Sequence, residues 1–236
     1  MREASAKDIV EFVRETNNFD LLSEIVLYRG QSRSGNLVPS IARRYAKADT
    51  APLEKKILSQ LTLMGAALLP STNLTPLELL VIAQHYGLQT RLLDWTSNPL
   101  AALYFACAKE VSGDTFVYAL EADRVLVEDV YSKDPFEITK TRVFQPRLSN
   151  PRIVAQHGWF TLHRYSRRAG SFVSLEKNPD TKDLLTEIRI PKEQREEILR
   201  ALDRHGVNRR SLFPDLEGLC LHLNWKFELD SRTPLA

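Results

Sequence analysis

Gln84-His85-Tyr86-Gly87-Leu88-Gln89-Thr90-Arg91-Leu92-Leu93-Asp94-Trp95-Thr96-Ser97-Asn98-Pro99 sets an amide, an imidazole, a phenol, a guanidinium, a carboxylate and an indole between two apolar helical patterns. Upstream of it, Thr75-Pro76 is a strong helix start, since the Thr hydroxyl caps free amides and proline at the first helical position gives up no needed donor. Leu77, Leu79, Leu80, Ile82 and Ala83 make that helix heavily buried, and Gly87 supplies the left-handed residue that closes it. His85 and Tyr86 then fall in its last turn. Ser97 or Asn98, followed by Pro99, repeats the start signal for a helix from Leu100 to Val111. Arg91 to Thr96 is therefore expected to be an inter-helix loop, with the amides of 98–100 offered to an anion such as a phosphate. Two readings of that loop are open: a buried polar turn in which Arg91 and Asp94 satisfy one another, or the wall of a site.

Working outward, Ile25-Val26-Leu27-Tyr28 is a β-prone run stopped by Gly30, which would put Arg29 at a strand end. Ser5 to Asp8 caps a first amphipathic helix that fades at Asn17-Asn18, Ser40 to Tyr45 forms a short helical turn, and Pro52 to Leu69 has helical spacing. Past residue 111 the chain turns β-rich, with strands expected at Thr115–Leu120, Phe160–His163, Ser171–Leu175 and Leu184–Ile190. Pro135 to Pro151 is a poorly patterned connection. Pro191 opens a charged helix to Arg204 that Gly206 closes, Ser211 caps a last helix from Leu212, and the tail from Phe227 is expected to be loose. No repeat, low-complexity segment or linker interrupts 1–236. The expectation is a single α+β domain with a helical N-terminal half and a β-rich second half.

Composition agrees with a globular chain: 236 residues, 43% hydrophobic and 26% charged, with a formal charge of +2 that gives no general argument for nucleic acid. Arg142 to Arg168 is nonetheless locally basic, enough for a patch. No run reaches a membrane span, and Met1 to Arg14 lacks the apolar core of a secretory signal, so the expected setting is the cytoplasm. Cys107 and Cys220 read as two buried thiols, and neither they nor His157 and His163 have metal-ligand spacing, so no metal is expected.

Gly-x-Ser-x-Gly, the P-loop pattern, His-Glu-x-x-His and Gly-x-Gly-x-x-Gly are all absent. Arg29 would bind a phosphate through its planar fork or pair with Asp94 as scaffold. His85 would serve as a base or hydrogen-bond a backbone carbonyl. Trp95 would be a core aromatic or a platform for a ring. Asp215 and Glu217 are explained by a helix N-terminus alone.

Tyr28-Arg29-Gly30-Gln31, then Gln84-His85-Tyr86-Gly87 running into Thr90-Arg91-Leu92-Leu93-Asp94-Trp95-Thr96 and Ala102-Leu103-Tyr104-Phe105-Ala106, resembles the FRG domain, named for its Phe/Tyr-Arg-Gly motif. Arg152 to Gln156 with Gly158 and Phe160, and Leu212 to Gly218, look like later blocks of that family, so the likeness spans about residues 20 to 224. A more distant similarity is to arginine-type ADP-ribosyltransferases. Tyr28-Arg29-Gly30 is similar to their first-strand motif, Asp94-Trp95-Thr96 with Ala102 and Phe105 to their Ser-Thr-Ser segment and following helix, and Gln156-His157-Gly158 to their Gln/Glu-x-Glu segment. This chain departs from the pattern twice: Asp94 replaces the first Ser, and Gly158 stands where the catalytic Glu is expected.

The resemblance implies a bacterial or phage toxin or defence protein that uses NAD as substrate, as an ADP-ribosyltransferase or NAD glycohydrolase acting without a metal. It implies catalytic roles among Arg29, His85, Asp94, Thr96, Gln156 and Glu217. Ligand contacts would come from Tyr28, Arg29, Gly30, Gln31, Tyr86, Arg91, Trp95 and Phe160. Partners would be the nucleotide and a protein or nucleic-acid acceptor, with no membrane. The competing class is a non-catalytic module that binds a nucleotide, nucleic acid or protein through the same cleft. A third is a nuclease or phosphotransfer enzyme with Asp94, Asp215 and Glu217 converging on a metal.

Overall fold

Helix starts in this chain are set by side chains that take up free amides. In the computed structural model, which describes residues 1–19, 23–147 and 150–228, Asp8 caps α1 (Ile9–Asn17) by accepting from the Glu11 amide. Thr75 and Glu78 form a reciprocal capping box at α4 (Pro76–His85). Asn98 caps α5 (Pro99–Cys107) by accepting from the amides of Leu100 and Ala101, so those donors are already engaged. The remaining helices are α2 (Ser40–Arg44), α3 (Ala51–Met64), α6 (Pro151–Ala155), α7 (Arg195–Arg204), α8 (Arg209–Leu212) and α9 (Leu216–Lys226). The expected last helix from Ser211 is in fact two: Asn208 caps α8 and Asp215 caps α9. The tail expected to be loose lies, beyond Glu228, outside the described residues.

The strands are β1 (Arg2–Ser5), β2 (Val26–Gln31), β3 (Leu92–Thr96), β4 (Thr115–Glu121), β5 (Arg142–Phe144), β6 (Gly158–Leu162), β7 (Tyr165–Ser166), β8 (Ser171–Phe172) and β9 (Leu185–Ile190). Seven form one curled sheet in the order β1-β9-β4-β2-β3-β6-β5, and β7 and β8 form a separate ribbon. Only β1 joins its neighbour in parallel. The architecture is α+β, as expected.

The sheet corrects the reading of 91–96. Leu92 to Thr96 is not a loop but a central strand, paired residue for residue with Leu162 to Gly158 of β6. Its LLDWT pattern is short and carries one charge, and the capped helices on either side masked it. Three further strands escaped notice: β1, because Arg2–Ser5 is polar and largely exposed, β5, three residues inside the expected connection, and the two-residue β7. The strand expected over Ser171–Leu175 is only two residues long before a 3-10 turn takes over at Leu175.

Gly30 does not stop β2 either. The strand runs through it to Gln31 because helix α5 crosses at that point: a Cβ on Gly30 would lie 2.0 Å from the Ala102 carbonyl oxygen and 2.4 Å from the Ala106 nitrogen. Glycine is required by this close approach of two backbones, not by a turn. Around it, Tyr28, Ala102, Leu103, Ala106, Val117 and Ile188 form the core between the sheet and α1, α5 and α7. Leu27, Leu93, Trp95, Tyr118 and Leu120 form the core on the other face. A third cluster joins α3 and α4 to β6 through Leu80, Leu92, Phe144, Phe160 and Leu162.

Arg91 is not braced by Asp94. It is 1% exposed and pairs with Glu54 of α3, itself 2% exposed, through Nη2 at 2.9 Å and Nε at 3.1 Å. The Arg91 amide donates to the same carboxylate, Thr50 donates to it at 2.7 Å, and the guanidinium lies 4.5 Å from the centre of the Phe136 ring. This saturated pair bolts α3 to the start of β3. Of the two thiols, Cys107 is buried, which pushes its pKa up to about 12 against the opposing charge of Arg195, whereas Cys220 is exposed, contrary to expectation. No helix among the described residues is long and apolar enough to cross a membrane.

Candidate functional site: a notch between two strands

Strand β2 pairs with β4 along its whole length, Val26 to Gln31, but with β3 at a single position, Tyr28 opposite Thr96. Beyond that position β2 and β3 part, and each leaves backbone groups facing the gap. Arg29 occupies it. Its Nη1 donates to the Asp94 carbonyl oxygen at 2.8 Å, replacing a ladder bond that the parted strands cannot make, and lies 3.8 Å from Asp94 Oδ2. Burial works against the Arg29 charge, and Asp94 supports it. The Arg29 Nε is buried with no hydrogen-bond partner among the described residues.

Side chains gather on both sides of this notch. Asp94, whose side chain is 58% exposed, accepts a hydrogen bond from Gln84 at 3.0 Å, and Gln84 in turn accepts from Thr90. His85, from the last turn of α4, has its pKa lowered first by burial and then by the Arg152 charge, with Asp94 opposing. His85 is thus held neutral between an anion and a cation. Arg152 of α6 pairs with Asp215 at 3.0 Å and stacks over Phe213. The amide of Gly218 and then Arg152 keep the Asp215 carboxyl below its usual range.

On the inner face, alternation along β6 sets Thr161 and His163 beside Trp95. The Trp95 Nε1–H donates to Thr161 Oγ1 at 3.1 Å, and Thr161 Oγ1 lies 3.0 Å from His163 Nε2. Indole can only donate, so Thr161 Oγ1 accepts from Trp95, while towards His163 Nε2 the hydroxyl donates or accepts according to the ring tautomer. His163 is 1% exposed, and burial, aided by the Arg29 and Arg91 charges, holds its pKa down to about 3. Its Nδ1 is a second buried polar atom of this site without a hydrogen-bond partner among the described residues.

The expected site residues therefore divide. Arg29, Asp94 and His85 come together, with Tyr86 at the rim, 78% exposed and edge-on to His85 at 5.0 Å. Thr96 is buried and accepts from the Asn98 amide, and Gln156 donates to the Leu212 carbonyl oxygen, so both brace backbone. Gln31 donates to the Arg33 and Gly35 carbonyls. Tyr28, Trp95 and Phe160 are buried in the core, Phe160 stacked on Phe144, and Arg91 belongs to Glu54. None of these four has a face open to a ligand, which corrects the expectation of ring stacking on Trp95 or Phe160. Glu217 is exposed in the first turn of α9. Asp94, Asp215 and Glu217 do not converge, and no group of metal-ligating side chains occurs among the described residues. Sequence reasoning missed His163 and Thr161; the only available signal was their alternation with Phe160 and Leu162.

The fold and site together define an α+β protein with an arginine set in a split between central strands. Within it, residues 24–115 match the family model of the FRG domain. The match takes in Tyr28-Arg29-Gly30, the whole of 84–99 and α5, and it stops at the first residue of β4. No curated protein matches the chain, and no solved structure does.

Proposed function

We propose that the notch binds NAD and hydrolyses its nicotinamide N-glycosidic bond, with transfer of ADP-ribose to a macromolecule as the related outcome. The observation that carries this reading is Arg29: a half-buried guanidinium with a fully buried Nε, placed where two strands part, with that donor left over and a carboxylate beside it. An acceptor-rich phosphate oxygen suits that donor. Asp94 is the carboxylate nearest Arg29, and its exposure leaves it accessible to a ribose. Its negative charge would stabilise the oxocarbenium-like centre at the ribose as nicotinamide departs as a neutral base. Water then attacks that carbon, and the proton it loses passes to neutral His85. The products are nicotinamide and ADP-ribose. Tyr86 is the exposed aromatic at the rim against which the leaving ring can pack. The distant likeness to ADP-ribosyltransferases, and with it a toxin or defence role in a bacterium or phage, belongs to this proposal.

One observation favours a second reading, a nucleotide-binding module without catalysis. Gly158 stands where that likeness expects a glutamate, and a Cβ there would lie 3.1 Å from Ile153 Cγ2. Quantifying nicotinamide released from NAD separates the two. The wild-type chain should release it and Arg29→Ala should not. Intact NAD after long incubation, with binding of another phosphate ligand retained, would overturn the hydrolytic reading in favour of the binding one.

A further inference from the structure

A cavity of about 490 Å3 lies beside the β7–β8 ribbon, away from the residues of the notch, and Thr141, Arg164, Ser166, Arg168, Val173 and Pro179 line it. No carboxylate is among its lining residues. Thr141 and Ser166 are buried, and Arg164 is half-buried. Of the arginines elsewhere, Arg2 pairs with Glu121, Arg147 with Glu78 and Arg189 with Asp114, whereas Arg33, Arg43 and Arg124 form no ion pair with a described residue. Arg164, Arg167 and Arg168 form no ion pair with any described residue. Two acids of the adjoining segment are engaged: Glu176 accepts from the amides of Asn36 at 2.8 Å and Leu37 at 3.1 Å, and Asp180 lies 3.6 Å from Lys140.

Half-buried Arg164 and exposed Arg168 thus border the cavity with no acid opposite them. An anion in the cavity supplies the counter-charge that the lining lacks. Guanidinium forks match phosphate oxygens in pairs, and the hydroxyls of Thr141 and Ser166 add polar contacts. The volume falls in the range of small-molecule sites, and Val173 and Pro179 give a carbon skeleton something to rest on. A nucleic-acid strand would need a longer basic track than this, and the chain as a whole has a formal charge of only +2. We infer that this cavity is a second binding site, for a small phosphate monoester whose phosphate is held by Arg164 and Arg168.

The test titrates the full chain with AMP and, separately, with inorganic phosphate, following backbone amide NMR shifts at Ser166 and Val173. It is run in the wild type and in Arg29→Ala, so that the result does not depend on the notch. Saturable AMP shifts at both amides are expected in both proteins, with phosphate binding more weakly. Arg164→Ala/Arg168→Ala should weaken AMP at least about tenfold. Arg164→Lys/Arg168→Lys, which keeps the charge but loses the fork, should fall between them. The alanine variant should melt with the wild type; if it does not, the lysine pair alone decides. Absence of saturable shifts, undiminished affinity in the variants, or phosphate binding as tightly as AMP would each overturn the assignment. So would binding of a single-stranded oligonucleotide at these amides without AMP binding.

Discussion

Arg29 donates to the main-chain carbonyl of Asp94 at 2.8 Å, while the Asp94 carboxylate Oδ2 stands 3.8 Å from the same nitrogen. The guanidinium is therefore fixed by backbone, and the carboxylate is left largely free. That division lets the two residues be tested apart. Asp94→Asn keeps the carbonyl and the Gln84 contact and removes an exposed charge whose support of Arg29 acts at 3.8 Å, so stability should fall by no more than about 1 kcal/mol. Nicotinamide release should nevertheless fall by at least about tenfold, a loss of about 1.4 kcal/mol of transition-state stabilisation. Unchanged release with Asp94→Asn would remove Asp94 from the chemistry.

Gly30→Ala tests the crossing of α5 over β2. Both contacts that a Cβ would meet are backbone atoms, which cannot rotate away. Overpacking of about 1–3 kcal/mol is the ordinary cost where side chains can give, so this substitution should exceed it and lower the denaturation midpoint sharply. A near-wild-type midpoint would mean that helix and strand separate more easily than this packing implies.

Glu54→Ala strands the Arg91 charge in the core. Breaking a buried pair from one side costs about 3–5 kcal/mol, so the variant should be largely unfolded at moderate urea. Replacing both partners by apolar residues of similar volume should recover part of that loss, and a urea series on the single and double variants measures it. Equal loss in the two would point to packing and not to the stranded charge.

His163 gives the fold a pH dependence of known sign. Its folded-state pKa is held down to about 3 from an ordinary 6.5, so the unfolded chain binds the proton more readily. The stability it contributes is complete above about pH 6.5 and is lost progressively as pH falls toward about 3. In His163→Gln the slope of unfolding free energy against pH should be shallower across that window. Identical slopes would show that the acid sensitivity arises elsewhere, for instance at carboxylates such as Asp215.

Much was legible before any coordinates. Thr75-Pro76, Asn98-Pro99 and Gly87 carry their conformational consequences locally, in a hydroxyl, a ring and a missing Cβ, and both helices start where they were expected, although α5 ends at Cys107 and not at Val111. Arg29 and Asp94 stood out because a charged fork and a carboxylate in apolar surroundings call for an explanation at once. What the residues alone misassigned were the partners. Arg91 pairs with Glu54 thirty-seven residues away and not with Asp94 three residues away, and no local pattern signals which distant acid will be buried with it.

The sequence by itself determined the α+β composition, the caps at Asp8, Thr75 and Asn98, and the presence of an unusual polar stretch between two buried helices, because each depends on near neighbours in the chain. Only the tertiary structure decided that this stretch is a central strand, that Gly30 serves a helix crossing, and that β2 and β3 part at Tyr28 so that Arg29 fills the gap. Strand pairing and burial are settled by contacts between segments far apart in sequence, where the energy of a whole sheet and core outweighs the preference of any one of them.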